Sequence, residues 1–190
     1  MTRSRQTADW GSRAGLAKIV PSSVAVGSGT GSADSLGTVT FSGASSLSLN
    51  DVFSTTYDNY KILMNISSAN STANLLMRLR VSGSDNTGAT TYQRTGYYST
   101  TTSISTLYEA ISYWFLGNLN NGVSQKIPME IFDPFKTIAT TAYSTMFQQT
   151  TNISMGINMT HIDSTSFTGF TLYPSTGTFT GTISVYGYTK

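Results

Sequence analysis

The stretch that decides the fold class is the carboxyl-terminal one, Gly177-Thr-Phe179-Thr-Gly181-Thr-Ile183-Ser-Val185-Tyr-Gly187-Tyr188-Thr-Lys190. Apolar and hydroxyl-bearing residues alternate along it, which is the side-chain period of a β-strand that has one face on a core and the other in water. The same alternation occurs in Gly37-Thr-Val39-Thr-Phe41-Ser-Gly43. The sequence therefore predicts a domain that opens and closes on two similar strands, with both ends in one sandwich.

The composition also favours extended chain. Only 11% of the 190 residues are charged, against roughly a quarter in a typical globular protein, and serine and threonine supply the missing polarity. Hydroxyl, β-branched and aromatic residues favour strands over helices. Cysteine is absent, which excludes disulfides and thiolate metal sites. The first ten residues contain no apolar run, and no stretch approaches the ~20 apolar residues of a membrane helix, so we expect neither a secretory signal nor membrane insertion.

Further strand-like runs follow one another at regular spacing. Turn residues such as glycine, asparagine, serine and aspartate separate them. The run 107–116 is more continuously apolar and is predicted to be buried on both faces. Nine or ten strands of this kind indicate an all-β, antiparallel, jelly-roll-like β-sandwich over residues 37–190. The runs are 60–66, 75–81, 92–99, 107–116, 123–132, 139–150, 153–160, 167–173 and 179–188.

Residues 1–36 differ from the rest and are predicted to form an extended, basic, Gly/Ser-rich docking arm. Four of the eleven basic residues lie in the first twenty positions, and the tract 27–32 has linker composition. Only these twenty residues are compatible with a helix. Since the net charge is only +2, docking onto an acidic protein surface is favoured over binding to nucleic acid. The residues expected to dock are Arg3, Arg5, Trp10, Arg13 and Lys18.

Three motifs resemble the small β-sandwich modules of tailed-bacteriophage virion proteins, which form tail-fibre, head-fibre and spike appendages. The first includes Tyr57-Asp58-Asn-Tyr60 before a strand; the second is the strand 75–81 followed by the tyrosine-rich segment 90–98; the third is the closing Val185-Tyr186-Gly187. The resemblance covers about residues 38–190. It implies a virion location, a homotrimer, contacts of the arm with other virion proteins, and a role in capsid decoration or host attachment. The turn 83–88 departs from the family, which has a shorter Asp-Gly turn there.

Candidate catalytic groups are few. His161, the only histidine, could form a metal site with Asp163, but a third ligand is missing from the pattern. A Ser-His-Asp triad would need the same histidine, and no nucleophile-elbow motif is present. Glu109 and Glu130 could approach one another across a sheet as the carboxylate pair of a glycosidase. No phosphate-binding loop or cofactor motif occurs, so no cofactor is expected.

Five tyrosines are candidates for contact with host-surface glycan or with another subunit, because aromatic rings stack on sugars and tyrosine is enriched at interfaces. The function predicted from these observations is a non-enzymatic virion structural protein. A receptor-binding module that contacts glycan is the alternative, and a small polysaccharide depolymerase is the third reading. The five tyrosines are Tyr92, Tyr97, Tyr98, Tyr108 and Tyr113.

Overall fold

The computed structural model describes residues 15–148 and 152–190, and every regular element in this part of the chain is a β-strand. In chain order the strands are β1 (Leu16–Ile19), β2 (Ser23–Val26), β3 (Thr30–Ala33), β4 (Thr38–Ala44), β5 (Leu47–Asn50), β6 (Asn59–Ala69), β7 (Ala73–Val81), β8 (Ser84–Asp85), β9 (Tyr92–Ser99), β10 (Ile104–Ile111), β11 (Trp114–Leu119), β12 (Gln125–Phe132), β13 (Thr140–Gln148), β14 (Ile153–His161), β15 (Gly169–Pro174) and β16 (Phe179–Tyr188). No helix long and apolar enough to cross a membrane occurs among these residues.

The strands form two antiparallel sheets that pack as a sandwich. The larger sheet has ten strands in the order β10-β9-β14-β13-β12-β6-β16-β4-β3, and β1 pairs with β16 beyond the end of β4. The smaller sheet has six strands in the order β11-β7-β15-β5-β2, with β8 paired to β7. The predicted all-β antiparallel sandwich is therefore confirmed, whereas the finer jelly-roll description stays a prediction.

The closing strand behaves as its alternation predicts. Buried and half-buried residues alternate along β16, and Phe179, Ile183 and Val185 are almost fully buried. β16 pairs directly with β4, so the two similar strands are neighbours in the larger sheet. Burial of each such side chain stabilises the fold by roughly 1.5–3 kcal/mol before the cost of ordering.

The core lies between the inner faces of the two sheets. Its largest fully buried side chains are Trp114, Tyr60 and Tyr92. Tyr60 meets Phe53 edge-to-face with ring centroids 4.8 Å apart, and Tyr92 meets Trp114 in the same way at 5.6 Å. Aromatic residues from both sheets thus lock the layers together.

The boundary predicted at residue 36 differs from the structure. β1, β2 and β3 are strands of the two sheets, since β1 pairs with β16, β2 with β5, and β3 with β4. The Gly/Ser tract that has linker composition contains the turn between β2 and β3. These short strands can form because the longer strands with which they pair supply most of the buried apolar surface. Residues 15–36 therefore belong to the sandwich, and only 1–14 of the predicted arm lie outside the described residues.

The run 107–116 is not one strand buried on both faces. The chain bends at Ser112 and Tyr113, so that the run divides between β10 in the larger sheet and β11 in the smaller one. β11 is buried as predicted, whereas β10 is largely exposed or half-buried. The run looks like one continuous strand in the sequence because both halves are rich in apolar residues. In β11 these residues are buried, whereas in β10 they lie exposed or half-buried on another sheet.

Candidate interaction surface

Strand β10 lies at one edge of the larger sheet, and no strand within residues 15–148 and 152–190 pairs with its outer side. It pairs with β9 from Ile104↔Ser99 to Ile111↔Tyr92 without a bulge, and it ends the order of the larger sheet. Natural edge strands are usually blunted by proline, lysine, bulges or short length. β10 is eight residues long, has neither proline nor lysine, and carries one charged residue, Glu109. Its outer edge therefore offers backbone donors and acceptors to another strand.

Exposed aromatic and aliphatic side chains surround this edge. Ile104 and Tyr108 on β10 are 75% and 74% exposed. On the neighbouring strand Tyr97 is 49% exposed, and its ring lies over Gly156 of β14, which has no side chain of its own there. Tyr97 and Tyr108 share the outer face of the sheet, since Tyr97 pairs with Thr106 and Tyr108 lies two residues further along β10.

The exposed aromatic surface extends over four strands. One register row on the outer face runs Tyr108 on β10, Thr95 on β9, Asn158 on β14 and Tyr143 on β13. Tyr143 is 43% exposed, and Phe147 on the same strand is 58% exposed. We call the outward side chains of β10, β9, β14 and β13 the aromatic face.

Tyr143 and Phe147 are residues that sequence reasoning missed. Their strand carries apolar side chains on both faces, with Ala142 and Met146 buried on the other side. The period of two separates the faces but does not say which of them meets the core. Hydrophobicity favours neither side here, so the outward direction of the two aromatic side chains comes from the tertiary packing.

A small polar depression lies within the aromatic face. It has a volume of about 100 Å³, and Tyr108 forms one of its walls. The side chains around it belong to β9 and β14 and supply amide and hydroxyl groups. They are Gln93, Thr95, Asn158 and Thr160. An aromatic wall beside amides and hydroxyls is the kind of surface that can hold a sugar ring.

The five predicted tyrosines do not form one cluster. Tyr97 and Tyr108 lie on the aromatic face, Tyr98 points to the inner side of β9, and Tyr113 is half-buried against the core at the bend before β11. Tyr92 needs a correction because it is completely buried. Tyr97 and Tyr98 are separated because consecutive residues of one strand face opposite sides of the sheet.

The predicted docking residues are mostly outside the described part of the chain. Arg3, Arg5, Trp10 and Arg13 fall in residues 1–14, outside the described residues. Lys18 is on β1, opposite Tyr186, and its Nζ donates a hydrogen bond to Thr38 Oγ1 at 2.5 Å. Lys18 therefore contributes to the contact between β1 and β4 in the sandwich.

The candidate catalytic groups are not brought together. Glu109 and Glu130 lie on β10 and β12, four strand spacings apart, which is roughly 19 Å, whereas glycosidase carboxylates are separated by about 5–9.5 Å. They also face opposite sides of the sheet: Glu109 pairs with the inward Arg94, while Glu130 lies opposite the outward Lys61. This pair cannot act as a glycosidase pair.

His161 lies in the core. It is completely buried at the end of β14 between Tyr92 and Phe167, with ring centroids 4.4 Å and 4.8 Å away. Its Nε2 is 4.0 Å from Asp163 Oδ2. Burial lowers the pKa of His161, although the Asp163 carboxylate opposes this. Among residues 15–148 and 152–190, no group of three metal-ligating side chains occurs.

The turn 83–88, which is longer than the turn of the family that the chain resembles, has a structural role. Asp85 folds back onto β7, where its Oδ1 accepts hydrogen bonds from Arg80 Nη1 at 2.5 Å and Thr171 Oγ1 at 2.6 Å. Arg80 Nη1 also donates to Ser48 Oγ at 3.2 Å. The longer turn thus supplies the carboxylate that neutralises a mostly buried arginine on the outer side of the smaller sheet.

No protein-family model matches the chain, and no curated protein matches it. Among solved structures the chain is similar to a protein of unknown function from Shewanella oneidensis MR-1, with 8% sequence identity and a TM-score of 0.29. The alignment covers 92% of this chain and 79% of the Shewanella chain. So distant a likeness has no bearing on the function of this protein.

Proposed function

We propose that this chain is a non-enzymatic structural protein of a bacteriophage virion. Its amino-terminal residues dock onto other virion proteins, and its sandwich associates with further copies of itself as an exposed appendage or decoration. The observation that carries the self-association is the unprotected edge strand β10 with its exposed flanking side chains. The virion location and the docking role rest on the motif resemblance and on the basic residues near the amino terminus.

The occupant expected at this edge is a second copy of the chain. The outward side chains of β10 carry no charge, and the net charge of +2 gives copies little reason to repel one another. A strand of another copy would pair with the free backbone groups of β10 and pack beside Ile104 and Tyr108, which are otherwise in water, while the side of Tyr108 that faces the polar depression stays open.

The geometry of the contact decides the stoichiometry. Pairing of β10 with β10 of another copy is two-fold and gives a dimer, whereas contact of β10 with a different surface of the next copy can close a ring. The homotrimer implied by the resemblance requires the second arrangement. Light scattering coupled to size-exclusion chromatography distinguishes the two by mass.

The test is to place a lysine in the edge. Ile104→Lys and Tyr108→Lys each put a charge where a second strand must pack, so we expect the oligomer to dissociate to monomers in the same mass measurement. Leu36→Lys is the matched control, because Leu36 is 72% exposed in the turn between β3 and β4, and it should leave the oligomer intact. A wild-type protein that is monomeric at its highest soluble concentration would overturn the self-association.

The virion location has its own test. Mass spectrometry of purified particles from the corresponding phage should find the full-length chain in stoichiometric amount. Its absence from particles, together with its presence in the infected cell, would contradict a structural virion role while leaving the self-association untouched.

A second candidate function is the binding of host-surface glycan at the polar depression of the aromatic face. It is favoured by the wall that Tyr108 forms beside the amides and hydroxyls of β9 and β14. On a glycan array, Tyr108→Ala and Asn158→Ala should both abolish any signal that the wild-type oligomer gives. A blank array with the wild-type oligomer would count against this candidate.

A further inference from the structure

A cleft opens between the two sheets behind the edge strand. It has a volume of about 200 Å³ and lies on the inner side of β9 and β10, beside β11. Its walls are mostly apolar and include Leu107, Phe115, Ile153 and Met155. The polar residues that line it are Arg94 and Asn118.

Arg94 is an unusual residue to find at such a place. Its side chain is 9% exposed, and its guanidinium carbon lies 4.2 Å from the centroid of the Phe115 ring. Nη2 donates a hydrogen bond to Glu109 Oε2 at 2.7 Å. Nε and Nη1 are buried and have no hydrogen-bond partner in residues 15–148 and 152–190.

The unused groups of Arg94 amount to three N–H donors, one on Nε and two on Nη1. A buried donor without a partner costs about 1–3 kcal/mol, and more when it belongs to a charged group. Buried polar groups in native proteins are almost always satisfied by protein, water or a ligand. A guanidinium with donors to spare at an apolar cleft is therefore suited to a ligand that brings oxygen acceptors.

We propose that this cleft binds a small carboxylate on an apolar body, such as a short fatty acid. On binding, Glu109 turns away and the Arg94 guanidinium rotates into the cleft, so that its nitrogens, which are buried in the free protein, donate hydrogen bonds to the carboxylate. The hydrocarbon part packs on Leu107 and Ile153. Charge-assisted hydrogen bonds of this kind are the strong ones, and arginine is the residue that suits carboxylates best. The volume is below the ~300–1,000 Å³ of sites for drug-sized ligands, so the ligand is a short chain or a single ring.

Glu109 tunes this site. It lies on the edge strand with its side chain 46% exposed, so water screens its charge and it can turn away from Arg94. A ligand carboxylate competes with Glu109 for the same guanidinium. Removing the charge of Glu109 should therefore strengthen the binding of an anionic ligand and leave a neutral ligand unaffected.

The experiment is calorimetric titration of the wild-type full chain with hexanoate, hexanol, hexanamide and hexylamine. We expect hexanoate to bind at least about tenfold more tightly than hexanol, the ratio that a single charge-assisted hydrogen bond supplies. Hexylamine should not bind. If hexanol or hexanamide binds as tightly as hexanoate, or if none of the four binds, the proposal is overturned.

Three variants locate the binding. Glu109→Gln keeps Arg94 in place and should raise the affinity for hexanoate several-fold. Leu107→Trp fills the cleft while both members of the charged pair are kept, and it should abolish binding. Arg94→Met should also abolish binding, provided that its thermal unfolding shows a folded protein. Unchanged hexanoate affinity in Glu109→Gln or Leu107→Trp would show that the carboxylate binds elsewhere. Neither variant bears on the virion location, so that this proposal and the proposed function can fail separately.

Discussion

At the scale of single residues, Tyr92 is predicted from the sequence to contact glycan or another subunit but is a core residue. Its hydroxyl accepts a hydrogen bond from the Leu79 N–H at 2.9 Å and donates one to the Asn86 carbonyl oxygen at 2.9 Å. Burial raises the pKa of this hydroxyl well above its usual range, so it keeps its proton and acts as a donor at neutral pH. The hydroxyl ties β9 to β7 and to the turn after β8.

We expect Tyr92→Phe to lower the free energy of unfolding by about 1–3 kcal/mol, because it leaves the buried Leu79 N–H and the partly buried Asn86 carbonyl without this partner. Urea denaturation followed by tyrosine and tryptophan fluorescence measures this. Tyr108→Phe is the control, since Tyr108 is 74% exposed, and its effect should stay within about 0.5 kcal/mol. Equal effects of the two changes would contradict the assignment of Tyr92 to the core.

His161 gives the protein a pH dependence with a definite sign. Burial lowers the pKa of His161 in the folded state, while the unfolded chain keeps the ordinary value near 6.5. The unfolded state therefore binds the proton more readily, and stability falls as the pH drops from about 6.5 toward the folded-state pKa. Above pH 7 the contribution is flat.

The corresponding measurement is the urea midpoint between pH 7.5 and pH 5.5. His161 is the only histidine, and His161→Phe keeps an aromatic ring between Tyr92 and Phe167. We expect the midpoint of the wild type to fall over this interval and the midpoint of the variant to stay level. A variant that shows the same fall as the wild type would assign the pH dependence to other groups.

At the scale of elements, strands β4 and β16 were predictable because one face of each is buried and the alternation is unbroken. Two of the motifs behind the resemblance also meet in space, since the ring of Tyr57 lies against Gly187 and Tyr60 pairs with Gly187 in the sheet. Sequence periodicity locates such strands, but it does not predict the contact between Tyr57 in a loop and Gly187, which lies 130 residues later.

This contact predicts a difference between two glycines in strands. A Cβ at Gly187 would overlap the near end of the Tyr57 ring, whereas a Cβ at Gly156 would meet only the far end of the exposed Tyr97 ring. We expect Gly187→Ala to cost about 1–3 kcal/mol through overpacking and Gly156→Ala to cost less, because Tyr97 can swing into water. Thermal unfolding of the two variants gives the comparison, and a larger loss in Gly156→Ala would contradict it.

The run 107–116 shows where element-level prediction fails. β10 and β11 are joined by only two residues, Ser112 and Tyr113, and belong to different sheets. Tertiary position decides that Trp114 is buried and that Tyr108 is in water. The candidate surface could not be derived from the sequence for a related reason. In a chain with few charged residues, edge strands and central strands have similar compositions.

At the scale of the whole molecule, the sandwich uses its amino-terminal strands to close its sheets. β1 and β4 lie end to end along the same edge of β16, and β2 covers the edge of β5. Ile19, Val24 and Val26 pack partly buried against the core. Composition alone predicts a linker at residues 27–32 because glycine and serine dominate there. Strands this short can nevertheless form when the strands that pair with them supply most of the buried apolar surface.

Two truncations test where the domain begins. Removal of residues 1–14 leaves all the described strands and should shift the thermal unfolding midpoint by no more than a few degrees. Removal of residues 1–36 deletes β1, β2 and β3. The three partly buried side chains contribute roughly 1 kcal/mol each, judged against ~1.5–3 kcal/mol for full burial, and the hydrogen bonds of three strand pairs are lost with them.

The total lost in the longer truncation is therefore a large part of the 5–15 kcal/mol by which a domain is usually stable. It also leaves the edges of β16, β4 and β5 bare, and bare edges favour aggregation. We expect the longer truncation to unfold or aggregate at temperatures where the shorter one is folded. If docking depends on residues 1–14, both truncations should fail to join particles, although the shorter one remains a folded oligomer. A folded and soluble product from the removal of 1–36 would return these residues to the arm.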